Sequence, residues 1–243
     1  MGDTIKVAVM QSNYMPWKGY YDIIHDVDVF VYYDEVQYTK NDWRNRNKIY
    51  TPNGVKWITL PCGYDIHRNI SEIKLKNELN WQTTHYNLIK NSYEKAPFWN
   101  KYSDFIEYVY LERKWEYLYE LNRYCIETIS KNILGIKTVF CDSRDYPTTG
   151  FKSEKLLDLL IKVGTNIYVS GPAAKSYIQQ EEYTKAGIDI VWKNYDNYPP
   201  YKQQYTPNFY DLSILDLIFN TGEEAPYYIW GWRDYGKKVD SDS

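Results

Sequence analysis

The stretch Ile5–Tyr33 constrains this chain most. Ile5–Met10 (IKVAVM) is a short, β-branched run that is apolar on both faces, the pattern of a strand buried inside a parallel sheet. Lys18–Asp26 then sets Tyr21, Ile24 and His25 at helical spacing, and Val29–Tyr33 (VFVYY) is a second apolar strand. Strand, helix and strand within about 30 residues is the size of one right-handed crossover. A chain carrying such a unit must cover both faces of a parallel sheet with helices.

The same alternation returns later: Lys137–Cys141 as strand, Ser153–Val163 as helix, Asn166–Val169 as strand, Ala173–Ala186 as helix and Ile188–Trp192 as strand. Between the two blocks, Lys48–Tyr50 and Val55–Leu60 flank Thr51-Pro52-Asn53-Gly54, a hairpin turn whose Asn-Gly pair supplies positive φ angles. From Trp81 to about Leu134 the period is helical, broken at Pro97 and stopped at Gly135. Ser213-Ile-Leu-Asp216 reads as a capping box opening an apolar helix that ends at Asn220-Thr221-Gly222. The expected fold is therefore α/β: an open, mostly parallel, Rossmann-like sheet with an inserted hairpin and a helical segment. Residues 1–236 are expected to form a single domain, with the helical insertion at about 81–134. Lys237–Ser243 has little to bury and is expected to be disordered.

Several function classes drop out at this level. A net charge of -3 leaves no electrostatic footprint for sequence-specific binding to duplex nucleic acid. Cys62, Cys125 and Cys141 show neither a disulfide framework nor metal spacing, so no metal is expected and a reducing, cytoplasmic setting fits best. No run approaches the roughly 20 apolar residues that a membrane span needs. Neither G-x-G-x-x-G nor a Walker motif is present. What stands out is 28 Tyr and 9 Trp, side chains that bury apolar area while keeping a polar handle, suited to a core or to a sugar or base site.

In an open α/β sheet the ligand crevice lies beyond the carboxyl ends of the strands. That selects Gln11–Trp17 after the first strand and Asp34–Gln37 after the second. Gln11, Tyr14, Trp17 and Tyr20 are candidate binding residues of the first turn. If Trp43-Arg44-Asn45-Arg46-Asn47 is extended, Arg44 and Arg46 share a face about 7 Å apart, a separation that suits a diphosphate. Trp43 and Asn45 border them, and Gln37 can reach sugar hydroxyls. Asp34 and His85, the latter one helical turn from Trp81, are the candidate general bases. Ser170-Gly171 follows a strand and brings backbone close to a ligand. Tyr201–Tyr205 (YKQQY) is a loop long enough to fold over a site.

Pro16-Trp17-Lys18-Gly19-Tyr20 resembles the first turn of nucleotidylyltransferases and pantothenate-synthetase-like ligases, with the glycine kept and the histidines gone. A wider pattern resembles the WbqC-like family of bacterial surface-polysaccharide clusters across about residues 5 to 222. It comprises Gln11 with Tyr14-x-Pro16-Trp17-x-Gly19-Tyr20, Asp34-x-x-Gln37-Tyr38 and Trp43-Arg44-Asn45-Arg46. Further on it includes Trp81-x-x-x-His85, Tyr168-x-Ser170-Gly171 and Leu212-Ser213-Ile214-x-Asp216. The resemblance implies a glycine or aminoacyl transferase of O-antigen biosynthesis. Its acceptor would be the amine of a nucleotide-linked, expected dTDP-linked, dideoxy aminosugar. The acyl donor stays open among an ATP-made adenylate, an aminoacyl-tRNA and a carrier thioester. Two alternatives stand beside it: a nucleotidylyltransferase-like enzyme acting on a sugar phosphate, and a non-catalytic sugar-nucleotide or glycan-binding protein.

Overall fold

A computed structural model describes residues 4–233 of the chain. Five strands form one all-parallel sheet: β1 (Lys6–Met10), β2 (Val29–Tyr32), β5 (Val139–Asp142), β6 (Ile167–Ser170) and β7 (Asp189–Trp192). Their spatial order is β5-β2-β1-β6-β7. The chain winds outward from β1 through β2 to β5, returns, and winds the other way through β6 to β7. The direction reverses between β1 and β6, so the loops leaving those two strands diverge and open a crevice at their carboxyl ends.

β1 is the central strand, and its two faces feed two cores. Val7 and Val9, with Val31 and Tyr168, pack under Leu156, Leu159 and Leu160 of α5 (Ser153–Val163). Ala8, Phe30 and Val169 turn to the other side, against Tyr20, Ile23 and Ile24 of α1 (Lys18–His25). This alternation is the period-two geometry of a strand buried on both faces.

The connection from β2 to β5 holds everything inserted. The antiparallel hairpin of β3 (Arg46–Thr51) and β4 (Gly54–Thr59) comes first, then α2 (Trp81–Tyr93), α3 (Trp99–Glu107) and α4 (Leu118–Thr128). These helices share one continuous apolar cluster with α1, which includes Ile89, Ile106, Leu121 and Ile126 together with Tyr21 and Ile24. Gly135, at φ 70°, ends the segment.

Local expectations failed in four places. The turn residue with positive φ is Gly54 alone, at 94°; Asn53 stays outside that region, because Pro52 and Asn53 form the two-residue loop and the left-handed step falls on the first residue of β4. The run Ala173–Ala186 is not one helix but a 3₁₀ turn, Pro172–Ser176, followed by α6 (Gln180–Lys185). Ile178 and Tyr183 both enter the core five positions apart, which a continuous helix would put on different faces. Ser213 does cap α7 (Ile214–Thr221), accepting from Leu215 N at 3.3 Å, but the box is not closed. The Asp216 carboxylate is taken by Tyr201 and Gln203, at 2.7 and 2.6 Å, and the Ser213 N–H donates to Lys48 O. Finally, residues 42–45 form a turn, with Asn45 and Arg46 N–H groups donating to Asp42 O, so the extended geometry assumed for Arg44 and Arg46 begins only at Arg46. The tail expected to be disordered, 237–243, lies outside the described residues.

Candidate functional site

The loop Gln11–Trp17 stands where phosphate-binding folds place glycines with free backbone N–H groups. Here the backbone is engaged by the protein instead. The Ser12 N–H donates to Asp34 Oδ1 at 2.8 Å and the Tyr14 N–H to Trp43 O at 2.9 Å. Tyr20 donates its hydroxyl to Gln11 O, and Asn122 its amide to Ser12 O. Met15 sits in the left-handed region at φ 42°, a strained conformation for a side chain of its size. Asn47, buried on β3, holds that bend by donating to both Tyr14 O, at 3.2 Å, and Met15 O, at 2.7 Å. Ile214 N–H, at the start of α7, closes the loop on Pro16 O. These bonds engage the Ser12 and Tyr14 N–H groups, and the loop's Gln11, Asn13 and Trp17 side chains face outward beside them.

Those side chains border a crevice of about 460 Å3. Trp17, Tyr20, Trp43 and Tyr195 form aromatic walls, and Gln11, Asn13, Arg44, Lys48 and Asp211 supply polar groups. Trp17 lies back over Gly19, where a Cβ would fall 2.3 Å from the indole, and meets Tyr195 edge-on at 5.2 Å. Only a glycine leaves room for the ring in that place. Arg44, 18% exposed, donates Nη2 to Gln11 Oε1 at 3.0 Å and approaches Asp42 at 3.3 Å through Nη1. Its Nε and the Asn13 Oδ1 are enclosed by the protein and have no hydrogen-bond partner. Lys48 and Asp211 are ion-paired across the rim.

Of the residues expected from sequence, Gln11, Trp17, Tyr20, Trp43 and Arg44 come together here. The others sit elsewhere. Asp34 is fully buried, held by the Ser12 N–H and by Arg123 at 2.8 Å, and Arg123 also binds Asp142. Burial pushes the Asp34 carboxyl up, while Arg123 and the Ser12 N–H pull it down. His85 lies in the core beside Trp81, its Nδ1 3.1 Å from the Tyr14 hydroxyl, which also bonds to Tyr110. Burial pushes its imidazole down to about 4, against a backbone hydrogen bond at Thr59. Tyr14 is therefore a core residue. Gln37 donates to Ile66 O and bridges to Asn69. Asn45 is buried, donating to Leu60 O. Arg46 stacks on Trp57 of the hairpin. Ser170 bonds to Tyr168, and Gly171 stands behind the Tyr195 hydroxyl. The Tyr201–Tyr205 loop does not cover the crevice: Tyr201 bonds to Asp216 and Tyr205 to Ser92 O.

Sequence reasoning missed Asn13, Asn47, Lys48, Tyr195 and Asp211. Asn47 ends the Trp43–Asn47 cluster, and an Asn in a strand, where it is disfavoured, was the available signal. Tyr195 and Asp211 lie in an irregular stretch with no local mark.

Behind the Trp17 wall lies Lys18. Its Nζ is enclosed, without a hydrogen-bond partner, 4.6 Å from the Tyr198 ring centroid and 5.6 Å from that of Tyr201. Burial lowers its ammonium to about 8, with Asp22 opposing.

Among the described residues no helix is long and apolar enough to cross a membrane. The model of the WbqC-like protein family matches residues 11–228. Uncharacterized protein Rv1507c of Mycobacterium tuberculosis is 40% identical over 226 residues, covering 92% of this chain and 97% of its own. No solved structure matches the chain.

Proposed function

The chain belongs to the WbqC-like protein family, and from that premise we propose that it is an amide-forming acyl transferase. It moves a glycyl or other aminoacyl group onto the amine of a nucleotide-linked dideoxy aminosugar, in the cytoplasmic supply of surface glycans. The observation that carries the reading is the composition of the crevice beyond the carboxyl end of β1. Aromatic walls, the largely buried guanidinium of Arg44, and a carboxylate on the rim surround one volume of about 460 Å3. That volume lies within the usual range for a small-molecule site, about 300–1,000 Å3.

In this reading the indoles of Trp17 and Trp43 stack on sugar or base, and Arg44 meets an anionic oxygen. The amine attacks the acyl carbon, a C–N bond forms, and the donor's leaving group departs with the electron pair of the broken bond. The nitrogen must lose a proton, and a positioned base contributes typically about 10²- to 10⁴-fold. Asp34 is sealed by its ion pair and His85 by the core. Asp211 is the carboxylate bordering the crevice, so it takes the proton, with Lys48 as its counter-charge.

The test is mass spectrometry of a dTDP-linked dideoxy aminosugar incubated with the protein and, separately, glycine plus ATP or glycyl-tRNA. A gain of one glycyl residue, abolished by Asp211→Asn, is expected. Pyrophosphate release with a new nucleotide bond would replace the reading with nucleotidyl transfer, and an unchanged sugar that still binds would replace it with a binding protein.

A further inference from the structure

The β3–β4 hairpin carries a surface that extends outward from the crevice. Lys48 and Trp57 face each other across the ladder, and Arg46 lies two residues before Lys48, hence on the same face. Trp43 joins them from the turn, its ring centroid 5.4 Å from that of Trp57. The Arg46 guanidinium lies 4.1 Å from the Trp57 centroid and the Lys48 Nζ 5.5 Å. Trp43 is 42% and Trp57 43% exposed, and adjacent indoles left open to water are unusual for so large a side chain. Arg46 makes no ion pair among the described residues, and its guanidinium lies against the Trp57 ring. Because Trp43 and Lys48 also border the crevice, the surface continues its mouth.

We propose that this hairpin face is a subsite for a nucleobase–phosphate unit, the base stacking on the Trp43 and Trp57 indoles and the phosphate meeting the Arg46 guanidinium, beside the Lys48–Asp211 pair. Two rings with one unpaired guanidinium match one or two unpaired nucleotides; a duplex would need a longer run of positive charge, and the chain's net charge is -3. Two sources share this chemistry: the nucleotide half of a nucleotide sugar whose sugar lies in the crevice, and the unpaired 3′ end of an RNA that delivers the acyl group. The inference rests on the acyl-transfer reading for the role of the subsite, but not for its existence.

The experiment measures binding of dTDP and of a short single-stranded RNA ending in CCA to the parent, Trp57→Ala and Arg46→Ala. Each base stack is worth about 1–3 kcal/mol, so Trp57→Ala should weaken a probe that uses the platform by about 5- to 150-fold. Arg46→Ala should weaken it and flatten its salt dependence. Both side chains are at the surface of the hairpin, and unchanged melting curves will show that the fold is kept. Loss for dTDP identifies the nucleotide sugar as source, and loss for the RNA alone identifies its 3′ end; either supports the subsite. It is overturned if both variants bind both probes like the parent, or if the parent binds neither. Failure of the acyl-transfer reading looks different: no glycyl product forms while dTDP still binds in a Trp57-dependent way.

Discussion

Acidification should cost this protein stability through one imidazole. His85 is buried between Trp81, Tyr14 and Tyr110, and burial lowers it from its ordinary 6.5 to about 4. The unfolded chain therefore binds a proton more tightly than the folded one. The stabilisation is complete above 6.5 and is lost as pH falls through the window down to about 4. One pKa unit is worth about 1.4 kcal/mol, so the full loss is about 3 kcal/mol, of which about 2 kcal/mol is already gone at pH 5. Urea unfolding of the parent and of His85→Gln at pH 7.5, 6, 5 and 4.5 measures it, the variant subtracting every other titrating group. Glutamine keeps a polar partner for the Tyr14 hydroxyl, so the variant should fold. The gap between parent and variant should shift toward the variant by about 2 kcal/mol between pH 7.5 and pH 5. Parallel stability curves would refute the argument and would mean that the imidazole is hydrated and free to act as a base near neutrality.

Other expectations follow from the same geometry. Lys18→Met removes an enclosed, unpartnered ammonium and should stabilise the fold at pH 7 by about 1–3 kcal/mol. Because burial lowers that group to about 8, the advantage should be full below pH 8 and fade as pH rises toward 10.5, as read by chemical denaturation against pH. Gly19→Ala puts a methyl 2.3 Å from the Trp17 indole, which must swing into the crevice. Altered tryptophan emission and weaker ligand binding should accompany a small loss of stability, and emission identical to the parent would show that the ring was never held there. Asn47→Ala strips two carbonyls at the Met15 bend of their donor, and about 2–4 kcal/mol should be lost at about 1–3 per unsatisfied group less relaxation, measured by urea midpoint. Asp34→Asn breaks a buried pair with Arg123 and should cost about 3–5 kcal/mol, so thermal melting distinguishes this structural role from that of a free base.

Much of the architecture was legible because it is local. β1, α1 and α5 follow from apolar runs and helical spacing within a dozen residues, and Ser153–Val163 lies where the pattern put it. The parallel sheet followed from the alternation itself, the hairpin from the turn residues between Lys48–Tyr50 and Val55–Leu60, and the inserted helices from the period after Trp81. Within the site, Gln11, Trp17 and Tyr20 were also legible, since any open α/β sheet presents the loop after its first strand at the crevice. Local pattern misled where a long-range contact outweighed it, as at Asp216, whose carboxylate serves Tyr201 and Gln203 instead of the helix start.

The sequence alone determined that the chain would form a layered α/β fold and that its first loop would lack the glycine motifs of phosphate-binding turns. Tertiary structure decided which charged groups face a guest. Arg44 reaches Gln11 across 33 residues of chain, Asp34 meets Arg123 across 89, and Tyr195 and Asp211 arrive from beyond β7. Periodicity records which face of a segment is apolar. It carries no information on whether a carboxylate or guanidinium will find its partner in a distant segment or be left open to solvent, because that depends on burial and distance set only when the segments pack.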